Sequence, residues 1–117
     1  MNQTELVEKI VKLLDDKKAR DICALDIGAL TSVADFFIIA TGGSTTQVKA
    51  LCDHVEEELK KDGMLPTHKE GYNGAAWILL EYSGVVIHIF QAEMREFYNL
   101  ENLWNDAKRV EVERILS

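Results

Sequence analysis

The chain has 117 residues, of which 47% are hydrophobic and 28% are charged, a profile typical of a globular protein. This length corresponds to one domain over residues 1–117 and is sufficient to bury a core. The 20 acidic and 13 basic side chains give a formal net charge of −7. Because an acidic surface repels phosphate backbones and anionic lipid, we expect no direct binding to nucleic acid or membranes, and we favour a basic protein partner.

The N-terminal segment and the two cysteines predict a cytoplasmic protein. The first residues lack the basic head and the unbroken apolar run of a signal peptide. No stretch approaches the ~20 apolar residues that a membrane span requires. Cys23 lies in an apolar strand context and Cys52 on the apolar stripe of a helix, so we expect both to be buried free thiols rather than a disulfide.

The first third of the chain predicts a helix followed by two strands. Asn2 and Glu5 have the spacing of a reciprocal N-terminal capping box, and the apolar periodicity that follows continues to about Asp16. Strands are predicted over residues 21–27 and 35–41. The second of these is an almost continuous apolar run, which indicates a central strand covered on both faces.

A second helix is predicted to begin after Ser44. Ser44 and Gln47 again have capping-box spacing, and the helix is expected to end before Gly63 and Pro66. The polar segment 65–74 then follows without a periodic pattern. We expect this segment to be the most mobile loop of the chain.

A β-hairpin is the strongest structural prediction. Two β-branched and aromatic runs, 76–82 and 85–91, are separated only by Ser83 and Gly84, the signal of a two-residue turn. Such a turn fixes the register and therefore assigns every side chain to a face. The wholly apolar face consists of Ile78, Leu80, Tyr82, Val85, Ile87 and Ile89. The mixed face consists of Trp77, Leu79, Glu81, Val86, His88 and Phe90.

The chain is predicted to end in helical segments. One helix is expected over residues 93–104 with Phe97, Leu100 and Trp104 as its core stripe, after which residues 105–106 bend it or start a last helix. The complete order predicts an α/β domain with a mixed sheet of about four strands and helices mainly on one face. The mixed face of the hairpin would then lie on the open side.

A nucleotidyltransferase activity and a metal site are the two chemical alternatives to a binding protein. The TGGS sequence at 41–44, between a strand and a helix, resembles the start of the nucleotidyltransferase fold, in which Ser44, Asp35 and Glu81 would act with Mg²⁺ on a nucleotide. That chemistry needs convergent carboxylates, and no D-x-D pair is present. The histidines and cysteines also lack metal-ligand spacing. We therefore expect no enzyme activity, no catalytic residues, no metal and no cofactor.

The most distinctive parts of the chain are DFF at 35–37, GAAW at 74–77, VVIHIF at 85–90 and EMREFYNLENLW at 93–104. Together they closely resemble the Iojap family of ribosomal silencing factors, RsfS, from Leu6 to about Val110. The resemblance implies a nucleotidyltransferase-like fold without known enzymatic activity. It further implies binding to a protein on the intersubunit face of the large ribosomal subunit, which blocks joining of the small subunit and represses translation.

Residue by residue, the resemblance extends to ten positions of this chain. They are Asp35, Trp77, Tyr82, His88, Phe90, Arg95, Phe97, Tyr98, Leu100 and Trp104. This chain departs from the family in the hairpin turn, where the family often has an acidic residue and this chain has Ser83 and Gly84.

The partner-binding surface is predicted to be the mixed hairpin face, extended by the following helix. Its residues are Trp77, Leu79, Glu81, Val86, His88, Phe90, Met94 and Tyr98. Glu81 is expected to face a basic side chain of the partner. Two alternatives remain at this point: Trp77 and His88 have purely structural roles, with His88 satisfied by a carbonyl or by Glu81, or the surface forms a homodimer.

Overall fold

A six-stranded mixed sheet runs through the computed structural model, which describes all residues from 1 to 117. The helices are α1 (Gln3–Asp16), α2 (Thr45–Lys61), α3 (Ala92–Tyr98), α4 (Leu100–Leu103) and α5 (Val112–Leu116). The strands are β1 (Arg20–Asp26), β2 (Phe36–Gly42), β3 (His68–Glu70), β4 (Trp77–Tyr82), β5 (Val85–Gln91) and β6 (Lys108–Arg109). None of the helices is both long and apolar enough to span a bilayer.

The strand order is β3-β4-β5-β2-β1-β6. Only β2 and β5 are parallel, and α2 lies in the connection between them, whereas all other neighbouring strands are antiparallel. Helices α1, α2 and α5 pack on one face of the sheet, and α3 and α4 lie on the other. The predicted α/β class, mixed sheet and one-sided placement of the main helices are therefore confirmed.

The predicted count of about four strands is wrong, because β3 and β6 add one strand at each edge. They have three and two residues, which is too short for a period-two pattern to be visible in the sequence. Residues 105–106 accordingly neither bend a helix nor start one; they lie in a turn that leads into β6.

The segment 65–74 is anchored to α2 rather than being a free loop. Its central residues form β3, and Lys69 binds Glu56 with 2.7 Å between Nζ and Oε1. The Tyr72 hydroxyl lies 3.1 Å from Asp53 Oδ2, and the Lys69 ammonium sits 4.4 Å from the centre of the Tyr72 ring. The prediction of a loop is therefore wrong for residues 68–70, and the mobility of the segment stays a prediction.

Both long helices begin at the predicted caps. Asn2 Oδ1 accepts the Glu5 amide at 2.8 Å, and Glu5 Oε1 accepts the Asn2 amide at 3.1 Å, so the reciprocal box of α1 is confirmed. Ser44 Oγ accepts the Gln47 amide at 3.1 Å. The reciprocal hydrogen bond of this second box, from the Ser44 amide to the Gln47 side chain, is a wrong prediction, because Gln47 Oε1 accepts the Gly43 amide instead.

The hairpin of β4 and β5 has the predicted register. Trp77 pairs with Phe90 and Tyr82 with Val85, and the turn between them has φ of 47° at Ser83 and 83° at Gly84. Positive φ at both central residues matches the twist of the flanking strands. The apolar face of the hairpin belongs to the main core, a cluster of 21 buried residues shared with α1 and α2.

A second, smaller core lies on the opposite face of the sheet. It contains seven buried residues, Cys23, Leu25, Ile27, Ala34, Ile39, Val86 and Phe90. Met94 of α3, Leu100 of α4 and the following Trp104 pack against them. The predicted open face is consequently wrong for Val86, His88 and Phe90, which are only 7%, 4% and 0% exposed. Covering this apolar face with α3 and α4 removes it from water and thereby stabilises the folded chain.

The predicted helix over residues 93–104 is interrupted at Asn99. Its φ of 46° and ψ of 55° are left-handed, a conformation that Asn tolerates better than most residues. The Asn99 amide donates to the Arg95 carbonyl at 2.8 Å and ends α3, and α4 starts directly afterwards. The break removes Phe97 from the predicted core stripe, leaving it 78% exposed, whereas Leu100 and Trp104 are half-buried.

Candidate functional site

An aromatic cluster connects the sheet to α3. It consists of Phe37, Trp77, His88, Phe90, Phe97, Tyr98 and Trp104. The Trp77 ring stacks on Phe90 with 4.9 Å between centroids and lies 4.7 Å from Tyr98. Tyr98 in turn meets Phe97 edge to face at 5.1 Å. The cluster therefore runs without interruption from the second core to the surface.

His88 has a structural contact at the centre of this cluster. The Trp77 indole Nε1–H donates to His88 Nδ1 at 3.1 Å, which requires a neutral ring with its proton on Nε2. His88 Nε2 has no hydrogen-bond partner, and the Phe37 ring lies edge to face at 4.6 Å. Burial lowers the pKa of His88 to about 4 because the charged ring would lose its hydration. Glu81 is not its partner, since that carboxylate contacts His68 at 3.2 Å.

The outer end of the cluster forms an exposed surface, which we call the β4–α3 surface and define by Trp77, Leu79, Glu81, Met94, Phe97 and Tyr98. The first three alternate along β4 and therefore point to the same side of the sheet. Phe97 and Tyr98 are 78% and 46% exposed, and the other four are partly exposed. Two exposed aromatic rings on one short helix are unusual for a surface that contacts only water.

The charges around this surface are mainly acidic. Glu93, one helical turn before Phe97 on α3, is exposed, and Glu81 on β4 is partly exposed. The one cationic side chain of α3, Arg95, points inward and is only 12% exposed, where it binds Glu101. The β4–α3 surface thus combines apolar rings with two acidic side chains, Glu81 and Glu93.

The predicted site residues separate into two groups. Trp77, Leu79, Glu81, Met94 and Tyr98 reach the β4–α3 surface. Val86, His88 and Phe90 are brought next to them but lie beneath, so they support the surface rather than form it. The most exposed ring, Phe97, was not among the predicted site residues, because an uninterrupted helix would have turned it inward. The one available signal was Asn99, since Asn favours helix ends.

The residues of the alternative nucleotidyltransferase site are not brought together. Asp35 precedes β2 and Ser44 follows it, so they lie at opposite ends of that strand. Asp35 Oδ2 accepts the Gln3 amide group at 2.7 Å, and Glu81 contacts His68. In the TGGS loop, both Ser44 Oγ and the Gly43 amide are already bonded to Gln47.

One group of potential metal ligands lies elsewhere, on α2. Cys52, Asp53 and Glu56 offer ligand atoms that lie within 4.8 Å of one another. Burial, reinforced by Glu56, raises the pKa of the Cys52 thiol to about 12, so the thiol is protonated and donates to Glu56 at 3.3 Å. The Lys69 ammonium on Glu56 already supplies a positive charge to this group.

Comparison with known proteins places the chain in one family. The model of the RsfS family, described as "Ribosomal silencing factor during starvation", matches residues 1–117. The chain is 38% identical to the "Ribosomal silencing factor RsfS" of Halalkalibacterium halodurans over 117 residues, which is 100% of both chains. This chain belongs to the RsfS family of ribosomal silencing factors.

A mouse relative and a crystal structure extend the comparison. The "Mitochondrial assembly of ribosomal large subunit protein 1" of Mus musculus is 33% identical over 101 residues, 84% of this chain and 44% of the mouse protein. The crystal structure of a protein from Chromobacterium violaceum is 36% identical, with a TM-score of 0.86 over 90% of this chain and 88% of that one. The fold described above is therefore also found in an experimental structure.

Proposed function

We propose that this chain silences ribosomes by a steric mechanism. The β4–α3 surface binds a protein on the intersubunit face of the large ribosomal subunit, and the body of the domain occupies space that the small subunit needs. Joining of the subunits is blocked and translation is repressed in the cytoplasm. The observation that supports this proposal most directly is the exposed pair Phe97 and Tyr98 on a chain of the RsfS family.

The charge of the surface favours a basic protein as the partner. Glu81 belongs to this surface, Glu93 precedes Phe97 by one helical turn, and the whole chain carries a formal charge of −7. A basic protein surface with an apolar depression complements this arrangement, whereas exposed ribosomal RNA would be repelled. The negative charge of the chain accelerates encounter with such a partner and makes the association sensitive to salt. The partner is therefore a basic ribosomal protein.

The first experiment is co-sedimentation of the purified protein with separated ribosomal subunits at low and moderate salt. We expect retention on the large subunit alone, and weaker retention at the higher salt concentration. A photo-crosslinking side chain introduced at Phe97 should capture a ribosomal protein and no ribosomal RNA. Retention on the small subunit, or crosslinks confined to RNA, would contradict the proposal.

Self-association through the β4–α3 surface is a related proposal, because an exposed aromatic surface is also suited to a homodimer. Dimer and ribosome would then compete for Phe97 and Tyr98. Sedimentation velocity over a range of concentrations, with and without large subunits, measures this competition. A dimer that persists unchanged on the subunit would show that the two contacts use different surfaces.

Asp35 provides the test against the nucleotidyltransferase alternative. Its carboxylate accepts the Gln3 side-chain amide, which also donates to the Ser83 carbonyl at 2.7 Å, so Asp35 connects α1 to the hairpin turn. We expect Asp35→Ala to lower the free energy of unfolding by about 1 kcal/mol and to leave large-subunit binding unchanged. Gln3→Ala is the matched control and should have a similar, non-additive effect.

The measurement for Asp35 combines denaturant unfolding with an assay of nucleotide turnover in the presence of Mg²⁺. Turnover by the unsubstituted chain that disappears in Asp35→Asn would contradict the proposed function and support the enzyme alternative. Additive destabilisation by Asp35→Ala and Gln3→Ala would contradict the structural role of the contact.

A further inference from the structure

The direction in which Phe97 and Tyr98 project depends on two very short helices. Helix α3 has seven residues and α4 has four, and neither contains a fully buried residue. Helices of this length are marginal on their own in water, so tertiary contacts must hold them in place. The left-handed Asn99 between them introduces a corner whose angle is not fixed by a continuous helix.

Arg95 makes the polar contacts that fix this corner. Its Nε and Nη2 donate to the two carboxylate oxygens of Glu101 at 3.0 and 2.9 Å, a bidentate pair across Asn99. Its Nη1 donates to Thr41 Oγ1 at 2.8 Å, at the end of β2. Thr41 is 3% exposed, so one end of the contact is anchored in the buried sheet.

We propose that Arg95 is a positioning residue for partner binding: it joins α3, α4 and the sheet, and thereby sets the orientation of Phe97 and Tyr98 before the partner arrives. This inference rests on the proposed function. A preformed surface loses less conformational entropy on binding than a flexible one, so the contact contributes to affinity without touching the partner. The planar guanidinium is required, since a lysine ammonium cannot bond to both Glu101 oxygens and to Thr41 in one geometry.

Arg95→Lys keeps the charge and removes the fork, and it is the central variant of the test. We expect it to weaken binding to isolated large subunits about tenfold and to accelerate amide exchange over residues 96–103. The midpoint of global unfolding should change only slightly, because the contact holds two short helices and not the core. Arg114→Lys is the matched control, because Arg114 binds Glu111 across one helical turn with both side chains exposed. Its affinity should equal that of the unsubstituted chain.

Thr41 and Phe97 supply readouts that general destabilisation would not change. Thr41→Val removes the hydroxyl acceptor at nearly constant volume and should weaken binding, whereas Thr41→Ser should restore it. In a Phe97→Ala background, Arg95→Lys should cause a smaller further loss than in the unsubstituted chain, because Arg95 can then act only through Tyr98.

The contradicting results are distinguishable. Unchanged affinity for Arg95→Lys, or an equal loss with and without Phe97→Ala, would overturn the positioning role and leave the proposed surface intact. Unchanged affinity for Phe97→Ala itself would contradict the proposed surface, and the role of Arg95 with it.

Discussion

Phe97→Ala is expected to weaken binding to the large ribosomal subunit about thirtyfold, because truncating an aromatic anchor at the centre of an interface costs about 2 kcal/mol. Phe97 is 78% exposed, so little burial is lost in the free chain. The free energy of unfolding should therefore change by no more than about 0.5 kcal/mol. Tyr98→Ala should weaken binding as well, with a larger effect on stability, since Tyr98 packs on Trp77.

The measurement is a titration of large subunits with each variant, accompanied by denaturant unfolding. Leu65→Ala is the matched control: Leu65 is 69% exposed but lies beside Asp53 and Glu57 of α2, on the other face of the sheet. It should bind as the unsubstituted chain does. Equal affinities for Phe97→Ala and Leu65→Ala would show that the β4–α3 surface is not the contact.

Acidification from pH 7 to pH 4 is expected to remove about 3 kcal/mol of stability through His88 alone. The ordinary pKa of histidine is 6.5, and burial lowers the pKa of His88 to about 4. Between these values the unfolded chain binds the proton and the folded chain does not. The contribution is therefore complete above pH 6.5 and is progressively lost as the pH falls towards 4.

The carboxylates of the chain also respond to acid, so the His88 contribution must be isolated by a difference. His88→Asn retains an acceptor at the Nδ1 position for the Trp77 indole, and it cannot be protonated in this range. The loss of unfolding free energy between pH 7 and pH 4 should be about 3 kcal/mol smaller in this variant. His68→Asn is the control, because His68 is largely exposed and its substitution should not reduce the loss.

An NMR titration of the His88 ring provides a second measurement that does not depend on the stability of the variant. The ring should remain neutral down to about pH 5. A titration midpoint near 6.5, or an equal acid sensitivity of His88→Asn and the unsubstituted chain, would contradict the buried neutral state.

The hairpin was predictable because local rules determine it. A two-residue turn ending in Gly84 permits one register, and that register assigned Ile78, Leu80 and Ile87 to the main core, as observed. The caps at Asn2 and Ser44 were predictable for the same reason, since each depends on residues within one helical turn.

The surface depended on tertiary contacts that the sequence pattern does not contain. Helical periodicity placed Phe97 on one stripe with Leu100 and Trp104, and the left-handed conformation of Asn99 separates Phe97 from these two residues. The alternation of β4 and β5 assigned the apolar face to the core but did not show that the mixed face is covered as well. Packing of Leu100 and Trp104 on the second core determined that His88 and Phe90 lie beneath the surface.

Order of addition in a subunit-joining assay tests the steric mechanism most directly. When the protein is mixed with large subunits before small subunits are added, light scattering should show fewer joined ribosomes in proportion to occupancy. Phe97→Ala at the same concentration should give as many joined ribosomes as the reaction without the protein. Protein that is added after joining should remain unbound, because the small subunit then covers its binding site on the large subunit. Joining at the normal extent on large subunits saturated with the protein would contradict the account.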